Sequence, residues 1–136
     1  MNVTVFALLV PFMFALLGLS VDGGQMLIAQ RQIQGVAESA ARAGAEQVDE
    51  NSARSSPTAP ASLDPSMALQ AAADYIAAQP PGLSAGIDTD ARQVTVEVTS
   101  AAVPVVFLPA IGYKSAIHMR AMAAAQPRTG ITVAGQ

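Results

Sequence analysis

The chain begins with an uninterrupted apolar segment. Residues 3–21 carry no charge, and the seven basic and ten acidic residues all lie at Asp22 or later. Nineteen helical residues would extend about 28 Å, close to the ~30 Å hydrocarbon core of a bilayer. The pattern therefore predicts a membrane-spanning helix over residues 1–21. The positions expected to contact lipid or a neighbouring helix are Val3, Phe6, Leu9, Pro11, Phe14, Leu17, Val21 and Asp22.

A cleavable signal peptide is the alternative interpretation of this segment. Gly18 and Ser20 are small enough to precede a cleavage point, but a signal peptide also needs a basic region before its apolar run. No Lys or Arg precedes Val3. We therefore favour a retained helix. If the precursor begins upstream with a short basic leader, that leader would place the N-terminus in the cytoplasm.

The helical pattern continues beyond the charged boundary as an amphipathic segment, residues 22–50. Small or apolar residues recur at helical spacing, and Glu38 lies four residues before Arg42 on the opposite face. One continuous helix is predicted from about residue 3 to about residue 49. Small residues four apart allow close helix packing, either on the chain's own second helix or on another subunit. The predicted packing stripe is Ile33, Val36, Ala37, Ala40, Ala41, Gly44 and Ala45.

The remaining residues predict a small α+β head over residues 64–125, followed by a loose tail over residues 126–136. Residues 51–63 are rich in Ser, Pro and Ala, which is typical of an exposed linker. The pair Asp64-Pro65 predicts the N-cap and first residue of a second helix, and Pro80-Pro81-Gly82 ends it.

Period-two alternation of apolar and polar residues predicts the strands of the head. The clearest strand covers residues 94–99, with a partner over 117–122 and a short third strand at 85–87. The connection over residues 103–112 is very apolar and contains two prolines, which exclude a regular central strand. We expect this connection to be buried by the head, by a membrane surface or by a partner.

Composition limits both the core and the possible partners. The chain is 51% hydrophobic but only 4% aromatic, so the core is expected to be thin and to need support from the membrane or a neighbouring subunit. The net charge of −3 and the scattered basic residues exclude a nucleic-acid interface. Without cysteine, disulfides and thiolate chemistry are excluded.

No arrangement of residues predicts catalysis, a cofactor or a metal site. His118 is the only histidine, and no base or glycine elbow accompanies Ser55-Ser56. Asp88 and Asp90 belong to a turn cluster without the spaced oxygen ligands of a calcium loop. Gly23-Gly24 lacks the lysine of a phosphate-binding loop. We therefore expect a protein that is not an enzyme.

Asp22 is the charged residue with the most informative position. It follows the apolar segment directly, where a carboxylate could mark the end of the membrane span by reaching interfacial water. Alternatively, it could pair with a basic residue of an adjacent subunit during assembly.

Four segments of the stem together resemble the N-terminal signature of the TadE/TadG-like proteins of Flp (Tad, type IV-like) pilus assembly. They are VDGG at 21–24, MLIA at 26–29, IQGVAE at 33–38 and AARAGA at 40–45. The VPVVFLPAIG connection at 103–112 is also similar to TadE-like sequences. One difference is that Val5 is followed directly by Phe6, where TadE-type minor pilins carry a glutamate.

This resemblance implies a pilin-like fold: a long N-terminal helix, membrane-spanning in its first half, then a second helix and a small antiparallel sheet. It implies a minor pilin or assembly component that packs through the N-terminal helix in membrane or fibre. The expected partners are other pilus subunits or copies of itself, the bilayer, and the inner-membrane assembly machinery. The expected location is the cytoplasmic membrane with an extracytoplasmic head, then the surface pilus. The alternative is a single-span accessory or binding protein that never enters a filament.

Overall fold

The computed structural model describes residues 3–55, 61–110, 112–113 and 115–127. Its fold is α+β, with a long N-terminal helix, further helices and a three-stranded antiparallel sheet, as the sequence predicts. Nearly all of the predicted tail, residues 128–136, lies outside the described residues. The elements are α1 (Val3–Ala45), α2 (Glu50–Ser55), α3 (Pro65–Ala77), β1 (Ser84–Thr89), β2 (Val94–Thr99), α4 (Phe107–Ala110) and β3 (Arg120–Ala125).

Helix α1 contains 43 residues and is about 65 Å long. Pro11 lies inside it without ending it. The helix ends at Ala45, four residues before the predicted end, because the following residues pair with the segment that precedes α3. The Asp49 amide donates to the Ser62 carbonyl over 2.9 Å, and Val48 forms an isolated β-bridge with Leu63.

The segment predicted as a linker is partly helical. Helix α2 occupies its beginning, and Arg54 forms a 2.8 Å ion pair with Glu50 one turn earlier. Both side chains are exposed, so this pair contributes little stability. Residues 56–60 of the predicted linker lie outside the described residues.

Helix α3 begins where the sequence predicts. The Asp64 carboxylate accepts hydrogen bonds from the amides of Ser66 and Met67, and Pro65 is the first helical residue. The helix ends at Ala77, and the chain then turns at Gly82, whose φ of 106° is in the left-handed region that favours glycine.

The sheet has the order β1-β2-β3 with antiparallel pairing throughout. Central strand β2 turns three fully buried valines, Val94, Val96 and Val98, toward the helices. Strand β3 begins at residue 120, three residues later than predicted. The preceding residues pair irregularly instead: the Ser100 amide donates to the Met119 carbonyl and the Val103 amide to the Ile117 carbonyl, each over 2.8 Å.

The core lies between the second half of α1, helix α3 and the sheet. Alanine supplies most of the helical side and valine most of the sheet side, which brings the backbones of these layers close together. The stem is thus part of the head's core. The buried core residues are Ile33, Ala37, Ala40, Ala41, Leu63, Ala68, Ala72, Val94, Val96, Val98 and Ala121.

Candidate functional site

The first half of α1 is an exposed apolar rod, which we call the apolar span (residues 3–21). Among the described residues, α1 is the one helix whose length and composition would allow it to cross a membrane, and its most apolar 18-residue window has no buried residue. Large exposed side chains along a single helix indicate membrane anchoring. The predicted contact residues exposed here are Val3, Phe6, Leu9, Pro11, Phe14, Leu17 and Val21.

The packing stripe lies inside the chain's own core. Ala37 and Ala40 are fully buried, and Val36 is half-buried at the edge of the core. At Gly44 the layers are so close that a Cβ atom would lie 2.9 Å from the Ala68 carbonyl oxygen. Of the two arrangements considered from the sequence, the structure therefore contains packing on the second helix and the sheet. A second subunit has no access to the buried positions of the stripe while the head is folded on α1.

Asp22 is the junction between the apolar span and the head. One carboxylate oxygen accepts the Val106 amide, and the other accepts the amides of Phe107 and Leu108, all over 2.9 Å. Its relative exposure is 0%, so the head encloses the carboxylate completely. The expectation that Asp22 reaches interfacial water is thus wrong, because three backbone donors of the head occupy it.

These hydrogen bonds also explain the charge state of Asp22. The Val106 amide is the main cause of a lowered pKa, burial opposes it, and the amides of Leu108 and Phe107 lower the pKa further. A carboxylate stabilised in this way is ionised at neutral pH. Both carboxylate oxygens already accept hydrogen bonds from amides of the same chain. Pairing with a basic residue of another subunit would therefore require the head to detach.

A side-chain contact reinforces this junction one turn earlier. The Phe107 ring lies directly on Gly18, so that a Cβ atom at Gly18 would overlap Cδ2 of the ring. Only a residue without a side chain allows this approach unless the ring moves. Phe107 is the first residue of α4, which places this short helix against the outer turn of the apolar span.

An open groove of about 770 Å³ separates the stem from the loops at one end of the sheet. Ile28 and Val36 of α1 form one wall, and residues 79–83 and 100–104 form the other. The polar groups in its lining are amides and hydroxyls, including Gln25, Gln32 and Ser39. Among the described residues, Tyr75 is the one ionisable side chain in the lining. The lining residues that the structure describes include no acid–base pair and no nucleophile with an adjacent base.

Comparison with known proteins identifies the stem. Residues 2–47 match the model of a family described as putative Flp pilus-assembly TadE/G-like. The stem carries the TadE/G-like signature. This match confirms the resemblance over the apolar span, Asp22 and the packing stripe, and it supports a pilus-related role. No curated protein and no solved structure matches the chain.

The other residues considered from the sequence are not assembled into a site beside the TadE/G-like stem. His118 is exposed, with Nδ1 3.0 Å from the Ser100 carbonyl oxygen. Asp90 accepts the amides of Arg92 and Gln93 in a turn, whereas Asp88 lies in β1 and not in that turn. Within the described residues, no group of three potential ligands could hold a metal ion.

The sequence did not reveal the Asp22 junction, because its partners are 84 to 86 residues away along the chain. Two signals pointed toward it separately. One was a lone carboxylate at the end of an apolar helix, and the other was an apolar connection too irregular to form a strand. No pattern within either segment indicates that the two meet.

Proposed function

We propose that this protein is a membrane-anchored structural component of a Flp/Tad-type pilus, acting as a minor pilin or pilus subunit through its N-terminal helix. The observation that carries the proposal is the coincidence of the TadE/G-like match, residues 2–47, with a 43-residue helix whose first half is uncovered. The residues that present this surface are Val3, Phe6, Leu9, Phe14, Leu17 and Val21, interrupted by Pro11.

The two halves of α1 differ in how much of their surface is exposed, which supports different roles for them. The head covers the stripe from Ile33 to Ala45, so this half holds the protein's own fold together. Residues 3–21 contact nothing comparable, so they remain for lipid in the membrane and for neighbouring helices after assembly. The partners are therefore other pilus subunits or second copies of this chain, together with the bilayer and the inner-membrane assembly machinery. The head lies on the extracytoplasmic side.

Single-cysteine cross-linking tests this proposal directly, because the chain contains no cysteine. Phe6→Cys and Phe14→Cys place a thiol on the apolar span, and Met67→Cys places one on an exposed position of the head. In cells that express the pilus, oxidation should join the two span variants to neighbouring subunits and leave the head variant monomeric. Equal cross-linking at all three positions, or none on the span, would contradict assembly through this helix.

A second function is a permanently anchored accessory or binding protein that does not enter a filament. The observation that favours it is the Asp22 junction, which holds part of the head beside the outer end of the span. Shearing cells and comparing the filament fraction with an integral membrane marker separates the two functions. A pilus subunit would be enriched in the sheared filaments. An accessory protein would remain with the marker as an intact chain.

A further inference from the structure

We propose that the docked loop, residues 104–110, is a second membrane contact that enters the interfacial layer of the bilayer beside the apolar span. This inference rests on the membrane anchoring proposed above. It assigns to the head a lipid-facing surface of its own. Its basis is the position of the loop on α1, the pairing of its backbone donors, and the exposure of its side chains.

The position of the loop follows from its contact with the span. Phe107 packs on Gly18, which lies three residues before Val21, or about 4.5 Å along the helix axis inside the span. Asp22 fixes the neighbouring backbone through three hydrogen bonds of 2.9 Å. If the span lies in the hydrocarbon core, the Phe107 ring therefore lies at the depth of its outermost turn.

Three consecutive backbone donors of the loop are paired within the protein. Lipid provides no partner for an amide, so every donor there needs one within the protein. Asp22 accepts the three donors at the start of α4, and Pro104 and Pro109 have no amide hydrogen at all. The Gly112 amide donates to the Pro109 carbonyl over 3.1 Å, and the Tyr113 amide donates to the Leu108 carbonyl over 3.0 Å.

Three neighbouring side chains of the loop, Val106, Phe107 and Leu108, are apolar and are not covered by the core. Val106 is 73% exposed, and Phe107 and Leu108 are only half-buried. Tyr113, 48% exposed, follows them, and tyrosine is a residue that accumulates at the membrane–water interface. An exposed valine beside a phenylalanine and a leucine is unfavourable in water but favourable against acyl chains. The bilayer is the occupant we assign, because this surface is continuous with the apolar span.

Depth-dependent quenching by brominated phosphatidylcholine tests the proposal, because the chain contains no tryptophan. The full chain is reconstituted into phosphatidylcholine vesicles with a single tryptophan at one of three exposed positions. Leu9→Trp reports on the span, Val106→Trp on the docked loop, and Met67→Trp on the far end of the head. Met67 adjoins Ala68, which packs on Gly44, about 34 Å along the axis beyond Val21.

We expect bromine deep in the acyl chains to quench Leu9→Trp most and bromine near the headgroups to quench Val106→Trp most. Met67→Trp should be unaffected by either lipid. Quenching of Leu9→Trp without quenching of Val106→Trp would overturn the loop contact and leave the membrane anchor intact. Absence of quenching at both positions would overturn the anchor and the loop contact together. Equal quenching of Val106→Trp and Met67→Trp would show nonspecific adsorption and would also overturn the proposal.

A pair of glycine variants tests what positions the loop. Gly18→Val introduces a side chain where the Phe107 ring lies. At Gly23, by contrast, a Cβ atom would lie within 4 Å of nothing beyond its chain neighbours and its own helix backbone, so Gly23→Val is the matched control. In the Val106→Trp background, Gly18→Val should reduce quenching of the tryptophan by headgroup-level bromine to the value seen for Met67→Trp. Gly23→Val should leave this quenching unchanged. The same quenching in both variants would refute positioning by the Phe107–Gly18 contact. Equal quenching of Leu9→Trp in both backgrounds verifies that the span is still inserted.

Discussion

The close approach of the head to the stem at Gly44 leads to a stability prediction with a matched control. A Cβ atom at Gly44 would lie 2.9 Å from the Ala68 carbonyl oxygen and 3.0 and 3.2 Å from the two γ-carbons of Val94. Ala68 contributes backbone, and Val94 is fully buried, so neither neighbour can move without shifting α3 or β2. At Gly35, in the same helix, a Cβ atom would meet nothing within 4 Å.

The magnitudes of two opposing effects decide the sign of each substitution. Overpacking a well-packed core typically costs about 1–3 kcal/mol. Replacing glycine by alanine inside a helix contributes up to about 1 kcal/mol in the other direction. Gly44 is the second-last residue of α1, so the stabilisation from higher helix propensity is smaller there. We therefore expect Gly44→Ala to lower the free energy of unfolding by about 1–2 kcal/mol. In Gly35→Ala only the higher helix propensity acts, so this substitution should raise the free energy of unfolding by about 0.5–1 kcal/mol.

Urea unfolding of the full chain in detergent micelles measures this difference. Tyr75 packs against the core and provides a fluorescence signal from the head that no tryptophan obscures. The two variants should differ by about 2 kcal/mol in the free energy of unfolding, with Gly44→Ala the less stable. If Gly44→Ala is as stable as Gly35→Ala, the head does not pack on the stem at this distance, and the description of the stripe as core is refuted.

Two further predictions concern the aspartates. The pKa of Asp64 is lowered mainly by the hydrogen bond from the Ser66 hydroxyl and next by the one from the Met67 amide. Burial raises this pKa, and the Ser66 amide lowers it further. The stabilisation by Asp64 is therefore present above the unfolded pKa of about 3.9 and is lost as pH falls through the lower folded value. Asp64→Asn keeps a helix cap that cannot titrate. Urea unfolding at a series of acidic pH values should therefore show a smaller loss of stability with falling pH than in the unsubstituted protein. An unchanged profile would exclude this role of Asp64. Asp22→Asn removes a charged acceptor, so hydrogen exchange at the amides of residues 106–108 should accelerate. The control Asp74→Asn, at an exposed position, should leave this exchange unchanged. Equal protection in both variants would show that Asp22 does not hold the loop.

Local sequence patterns predicted the elements with the strongest periodicity. The apolar span, the Asp64-Pro65 start of α3 and the alternating valines of β2 each depend on neighbours within a few residues. The ends of elements were less predictable. Helix α1 ends early because Val48 bridges Leu63, and β3 begins late because residues 117–119 pair with the segment after β2. Both shifts result from hydrogen bonds with distant segments, which no local pattern encodes.

The candidate site divides in the same way. The TadE/G-like match over residues 2–47 and the exposed apolar span were predictable, because membrane length and hydropathy are properties of a continuous segment. The surface against which the packing stripe is buried was not predictable. Small residues at helical spacing allow a close neighbour of any kind, and their sequence is equally compatible with α3 or with another subunit.

The sequence by itself determined that this protein has an apolar helix long enough to cross a membrane, continuing into a small-residue stem beside an α+β head. These properties follow from the order of residues within single segments. Only the tertiary structure decided that the stem is part of the core of the head and that Asp22 is buried beneath residues 106–108. The physical reason is that buried charge and close backbone packing depend on which distant segments meet, and the head's own amides were the donors available to that carboxylate.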